Sequence, residues 1–412
     1  MLRRLMRSRA ATQGREFLDV GTDATYPFFD GYGPTETALA AMAESAMSAR
    51  VYPSSYGLIE LREEIAALLH RQFGVKADPA AETMITAGAS QAFDALSRSY
   101  VGRYILLPGL ALSTVESISV GNGAISVRIP LDDGYRIDLD ALERTITALV
   151  EDGIRFLYLN SPTNPSGVLY GRDSLTKIVA MARAHHILVV HDHDSWFTTH
   201  CGERSVNILE IPRAKEVAVT VLSMSKEFGL PGLRIGAVVG CPGVINTLRV
   251  HNSQFSVMIP EFCQHAAAAA LAAFRDDAAR QRVQREICGT LDAAIDGLRA
   301  LGWPDEAILH PSAGYKFLFR PPPSFTFADE PSGVELFDFL IARDAAIKLS
   351  TSRSFNADDH GWMRMILMQR PEHMKELFTR LGAIGICYRM QIPHGLREDY
   401  EVFMDGCDLS NL

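Results

Sequence analysis

The chain has 412 residues, 47% hydrophobic and 22% charged, with a net charge of −9. That length leaves room for two or three domains with a substantial core, and the composition excludes a disordered chain. The acidic balance argues against a nucleic-acid groove. The six cysteines, at 201, 241, 263, 288, 387 and 407, show no C-x-x-C spacing, which argues against a metal site or a disulfide framework and points to a reducing cytoplasm. No apolar run approaches the roughly 20 residues of a membrane span, so a membrane is not an expected partner.

Residues 1–15, MLRRLMRSRAATQGR, are basic and lack an apolar stretch of secretory type. They read as a mobile arm. In residues 51–74 the apolar positions Ile59, Leu61, Ile65, Leu68, Leu69 and Phe73 recur at helical spacing. TMITAG (83–88) reads as a strand that turns through GASQ (88–91) into a helix. Small residues at a helix N-terminus offer backbone N–H groups to an anion, so Ala89, Ser90 and Gln91 are candidates to hold a phosphate. FLYLNSPTNPSG (156–167) reads as a strand and turn, with Asn164–Pro165 a candidate cis bond. An amphipathic helix (173–186) and a buried strand, ILVV (187–190), lead into HDHDSWF (191–197).

EVAVTVLS (216–223) and RIGAVVG (234–240) read as two apolar strands flanking Lys226, which sets it apart from a solvated surface lysine. AAAAALAAF (266–274) reads as a buried helix, and 276–302 as a long helix linking two domains. Strands follow within 310–322, 337–355 and 362–368, and the tail 392–412 carries no functional reading. Alternating strands and helices from 83 to 240 imply an α/β domain with a mostly parallel sheet.

LSMSKEFGLPGLRIGA (222–237) resembles the S-x-S-K-x-x-x-x-x-G-x-R-x-G signature of the pyridoxal-phosphate-dependent class I/II aminotransferase family of fold type I. Residues 52–62 resemble its Y-x-x-x-x-G-x-x-x-L-R segment, and residues 160–167 its N-x-P-x-N-P-[ST]-G motif. The resemblance covers about residues 16–390. It implies a large domain with a mostly parallel seven-stranded sheet between helices, plus a smaller α+β domain. The segments would be 1–45 (arm and part of the small domain), 46–300 (large domain) and 301–412 (small domain).

The resemblance also implies pyridoxal 5'-phosphate as cofactor, a small amino acid as substrate and a homodimer with shared active sites. Lys226 would condense with the cofactor aldehyde and shuttle a proton. Ser223, Ser225 and Arg234 would reach the phosphate, and Tyr52 the phosphate of a neighbouring subunit. Asn164 would bond the phenolic oxygen, and Asp192 the ring nitrogen, keeping it protonated. Arg364 would grip the substrate carboxylate with a two-pronged pair, near Gly21. Asp30 stays open between a turn residue and a substrate contact.

Two positions depart from the family pattern. Leu110 stands where relatives place an aromatic ring, and Ser195 where most carry a tyrosine for the phenolic oxygen. The H-D-x-D-x-W run from His191 to Trp196, with Ser90 and Gln91, resembles a subgroup that oxidises arginine or similar cationic amino acids with dioxygen. In that reading Asp194 contacts the cationic side chain or orders water, or else caps the turn. His191 orients Asp192, and Trp196 is core. The expected function is an oxidase of L-arginine or a related amino acid, with dioxygen as co-substrate. An ordinary aminotransferase, or a lyase acting on a modified amino acid, stays open beside it.

Overall fold

The computed structural model describes residues 7, 14, 16–21, 33–50, 52–200, 202–255, 258–275, 277–329, 331–355 and 361–405. Asp30 and most of the basic arm lie outside them. The chain forms two compact units. One comprises residues 25–284 and 312–314; the other comprises 1–24, 285–311 and 315–412.

The first unit is built on seven strands: β1 (Thr83–Thr86), β2 (Tyr104–Pro108), β3 (Ile125–Ile129), β4 (Ile154–Asn160), β5 (Val189–Asp192), β6 (Ala218–Ser223) and β7 (Gly236–Val239). Their order across the sheet is β1-β7-β6-β5-β4-β2-β3. β3, β2, β4, β5 and β6 are parallel, and β7 runs antiparallel to both its neighbours, β1 and β6. The mostly parallel seven-stranded sheet expected from sequence is therefore present.

The helices of this unit are α1 (Gly33–Glu44), α2 (Ile59–Phe73), α3 (Gly88–Ser99), α4 (Ser113–Gly121), α5 (Leu139–Leu149), α6 (Arg172–Ala184), α7 (Pro242–Phe255) and α8 (Glu261–Ala273). The apolar stripe of α2 is buried as its spacing requires, and the helix stops at Gly74, whose φ of 67° suits a left-handed cap. The side chain of Asp138 caps α5 by accepting from the N–H groups of Asp140 and Ala141. In α8, Ala266, Ala267, Ala270 and Leu271 are fully buried, as the Ala-rich run predicts.

One face of the sheet packs Met84, Tyr158, Val190 and Val221 against Phe93, Leu96, Val115, Ile245 and Leu248 from α3, α4 and α7. Burying large aliphatic and aromatic side chains here contributes about 1.5–3 kcal/mol each. That rigid layer supports the C-terminal ends of the parallel strands, where open α/β sheets bind ligands.

The second unit holds an antiparallel sheet whose strands lie in the order Ser350–Thr351, Met363–Ile366, Lys316–Phe319, Ile308–Leu309. Leu18–Asp19 pairs in parallel with Ile347–Lys348. The helix Gly333–Ala345 starts in a capping box between Ser332 and Glu335. The tail, unread from sequence, forms a helix over Leu396–Asp405. Its Tyr400 and Phe403 rings lie 5.3 and 5.4 Å from Phe339. Among the described residues no helix is long and apolar enough to cross a membrane.

Candidate cofactor site

β6 and β7 enclose the lysine turn. Ser223 pairs with Gly236 across the ladder, and the N–H of Met224 donates to the carbonyl of Ile235 at 3.0 Å. Lys226 sits half-buried within that turn, whose backbone closes through Gly229 N–H on the Lys226 carbonyl at 3.2 Å. The hydroxyl of Ser223 accepts from the Ser225 N–H at 3.2 Å. Gly236 cannot be larger: a Cβ there would lie 2.7 Å from the carbonyl carbon of Gly88 and 2.9 Å from the nitrogen of Ala89. The base of the lysine turn is thus pressed against the first residues of α3.

Ala89, Ser90 and Gln91 form the first turn of α3, and Ala87 at the N-cap position offers no side-chain cap. Gly88 has φ of 70°, and a Cβ on it would stand 2.6 Å from Nη2 of Arg234. A positive guanidinium therefore lies beside a helix N-terminus whose N–H groups and dipole already favour an anion. Arg234 is itself left-handed at φ of 55°, and its Nη1 donates to the Pro231 carbonyl at 3.0 Å. The Gln91 side chain accepts from the Ala87 N–H, so its oxygen braces this turn.

The strand ends beside the lysine strand carry the remaining groups. Asn160 and Asp192 are register partners at the ends of β4 and β5. Asn160 donates through Nδ2 to the Asp192 carbonyl at 3.0 Å, and its Oδ1 accepts from the Asn164 N–H at 2.5 Å. The turn that carries Asn164 is therefore tied to the strand that carries Asp192. Ser161–Pro162 and Asn164–Pro165 are both cis, the second as expected. Asp192 is 6% exposed, and its Oδ2 accepts from the Tyr158 hydroxyl at 2.8 Å. Ser195 is buried with φ of 66°, Asp194 is half-buried, and Leu110 is buried.

Strand alternation puts His191 on the face opposite Asp192, away from the carboxylate it was expected to orient. Its Nδ1 accepts from the Ile208 N–H at 3.3 Å, and its ring stacks on His193 at 4.8 Å. Burial pushes the His191 pKa down to about 3. His193 is shifted well down by burial, with His191 and Arg204 adding repulsion. The Asn207 amide donates to His193 Nδ1 at 2.8 Å and to Thr220 Oγ1 at 3.0 Å, while its oxygen accepts from the Leu209 N–H. The His193 proton therefore lies on Nε2, 2.9 Å from the Ser205 hydroxyl. Trp196 is core, edge-on to Phe73 at 5.2 Å and to Phe274 at 6.2 Å. Tyr158, Asn160, His193 and Asn207 were missed from sequence. Only Asn160 had a signal, as the first residue of the N-x-P motif.

Tyr52 is 92% exposed and is not drawn into this set. In the second unit, Arg364 is buried on Met363–Ile366, where Nη2 donates to the Gly21 carbonyl at 3.0 Å and to the Ser350 hydroxyl at 3.2 Å. Its guanidinium lies 4.7 Å from the Phe355 ring centroid. A Cβ on Gly21 would meet the Leu349 carbonyl carbon at 2.5 Å, so only glycine fits there.

The donor set suits a phosphorylated pyridine. The helix N-terminus and Arg234 match a phosphate, the glycine at 88 keeps the space between them open, and the carboxylate at a neighbouring strand end matches a basic ring nitrogen. The model of the aminotransferase class I and II family matches residues 23–381. An LL-diaminopimelate aminotransferase 2 from Nostoc sp. is 28% identical over 343 residues, covering 82% of this chain and 84% of its own. An L-glutamine--4-(methylsulfanyl)-2-oxobutanoate aminotransferase from Bacillus subtilis is 26% identical over 349 residues, 84% of each chain. The solved structure of an aromatic aminotransferase from Pyrococcus horikoshii superposes with a TM-score of 0.78 at 24% identity, covering 90% of this chain and 95% of that one. A Thermus thermophilus aspartate aminotransferase mutant gives 0.79 at 21% identity, covering 93% and 96%. At these identities the structures speak for the fold alone.

Proposed function

Because the chain belongs to the class I and II aminotransferase family, whose cofactor is pyridoxal 5'-phosphate, we propose that it moves an amino group between an L-α-amino acid and a 2-oxo acid. The expected arginine oxidase is corrected here. The relatives are named as LL-diaminopimelate and glutamine aminotransferases, and dioxygen as co-substrate falls with the oxidase. In the H-D-x-D-x-W run, His191 packs into the unit's interior against His193, and Trp196 is core as expected.

The observation that carries the proposal is the joining of the lysine turn, the α3 N-terminus and the Asn160–Asp192 strand ends along one edge of the sheet. When bound, the cofactor supplies an aldehyde and an electron-withdrawing ring. The chain's own residues do the rest. Backbone N–H groups of Ala89 and Ser90, with Arg234, Ser223 and Ser225, would hold the phosphate. Asp192 would hold the ring nitrogen protonated, and Asn164 would donate to the phenolic oxygen. Lys226 carries a proton on Nζ as general base and acid. Arg364 takes the α-carboxylate of the amino acid. Tyr52, exposed in the single chain, is assigned to the phosphate of a second copy, consistent with the dimers typical of the family.

The test is a half-reaction. The cofactor-loaded protein is mixed with LL-diaminopimelate, L-glutamine and a panel of other L-amino acids, under nitrogen and under air. Conversion of the cofactor to its amino form with a stoichiometric 2-oxo acid, equal in both atmospheres, supports the proposal. Absence of conversion across the panel, or conversion that needs oxygen and yields peroxide, overturns it. A Lys226→Ala variant should lose at least about 10²-fold in the half-reaction rate.

A further inference from the structure

Tyr158 lies two residues before Asn160 in β4, so strand alternation places both on the face that Asp192 shares. It is fully buried. Its hydroxyl donates to Asp192 Oδ2 at 2.8 Å. Its ring meets Phe93 edge-on, with centroids 5.6 Å apart at 88°. Phe93 belongs to α3, whose first turn is the phosphate candidate. One side chain thus touches both the carboxylate at one end of the site and the helix at the other.

We propose that Tyr158 is a positioning residue that fixes the Asp192 carboxylate and keeps it ionised for the cofactor ring nitrogen. The assignment rests on the reading of Asp192 as the ring-nitrogen partner. Asp192 is almost fully buried, and burial disfavours a carboxylate anion. A hydrogen bond donated to the anion favours it. The phenol is held in its donating form: burial, then the charge and hydrogen bond of Asp192, then the charge of Asp194, push its pKa well above 10.

A phenylalanine would fill the same space without burying a hydroxyl. The hydroxyl's desolvation is offset only by its bond to the carboxylate. Asn160 Nδ2 and the Ser161 N–H already secure the Asp192 carbonyl; Tyr158 does for the side chain what they do for the backbone. A carboxylate stabilised as the anion leaves the shared proton on the ring nitrogen.

The experiment loads the protein with pyridoxal 5'-phosphate labelled with nitrogen-15 in the ring and records the nitrogen chemical shift from about pH 6 to pH 9. Wild type, Tyr158→Phe, Phe93→Leu and Asp192→Asn are compared, with cofactor affinity and steady-state kinetics alongside. In wild type the nitrogen should stay protonated throughout. In Tyr158→Phe it should lose its proton within the range, with kcat about tenfold lower and KM changed less than about threefold. Phe93→Leu should lose stability and keep the wild-type shift. A nitrogen that stays protonated in Tyr158→Phe overturns the proposal. An unchanged shift in Asp192→Asn instead overturns the reading of Asp192, which separates the two failures. Should Tyr158→Phe not fold, a fluorinated tyrosine at position 158 keeps the packing and strengthens the donor. At a fixed pH the ring-nitrogen shift should then move further toward the fully protonated value, because a better-stabilised carboxylate leaves the shared proton more fully on nitrogen, and an unmoved shift overturns the proposal.

Discussion

Acid should destabilise this protein through the imidazoles packed behind the end of β5. His191 is fully buried, and the lost hydration moves its pKa from the ordinary 6.5 to about 3. The unfolded chain takes up a proton below about pH 6.5, whereas folded His191 stays neutral until pH falls close to 3. The unfolded state therefore binds more protons throughout that window. The stability is complete above the ordinary histidine pKa and is lost as pH falls toward the folded value. At pH 5 the unfolded state gains about 2 kcal/mol from this one group, a large share of a domain's typical 5–15 kcal/mol. His193 is shifted the same way, by burial and then by the neighbouring His191 and Arg204, and adds to the loss.

Other groups titrate in the same range, so the informative quantity is a difference. His191→Asn keeps an acceptor for the Ile208 N–H and removes the titrating ring. Urea unfolding of parent and variant, both cofactor-loaded and at one protomer concentration, is measured near pH 7 and near pH 5. The loss of stability on acidification should be smaller in the variant by about 2 kcal/mol. Equal losses in the two proteins would refute the reasoning, because His191 would then take up its proton while folded.

Arg234→Ala should weaken cofactor binding about 10- to 100-fold by removing a charge-assisted hydrogen bond worth about 1.5–3 kcal/mol, read by equilibrium dialysis; an unchanged affinity would remove Arg234 from the phosphate site. Gly88→Ala places a Cβ 2.6 Å from the Arg234 guanidinium at φ of 70°. It should cost about 1–2 kcal/mol in the fold and lower cofactor affinity, both measurable by thermal unfolding with and without cofactor. Arg364→Lys keeps the charge and loses the planar fork. It should raise KM for amino acid donors about tenfold or more with a smaller change in kcat, and a variant with wild-type KM would place the carboxylate elsewhere.

What could be read from the chain alone was what short contiguous segments encode. The strand–turn–helix at 83–99, the lysine turn between two apolar strands and the N-x-P turn each place their chemistry within a dozen residues, where periodicity and turn residues are direct signals. Reaction type was less legible. A few unusual residues around Asp192 outweighed an intact general signature, although His191 packs in the interior and Trp196 is core as expected.

Only the tertiary structure decided which distant residues meet. Tyr158 is one apolar-looking strand residue among several until β4 and β5 pair and bring its hydroxyl to Asp192 across 34 positions. Asn207 becomes a partner of His193 and Thr220 only when β6 lies beside β5. Gly21 is tied to Arg364 across 343 positions through a carbonyl that no sequence pattern marks. Even the requirement for glycine at 236 comes from α3 pressing on the lysine turn. Local segments specify their own backbone and the residue types chemistry needs. The hydrogen bonds that orient those residues depend on strand order and register, which the whole core sets through its packing.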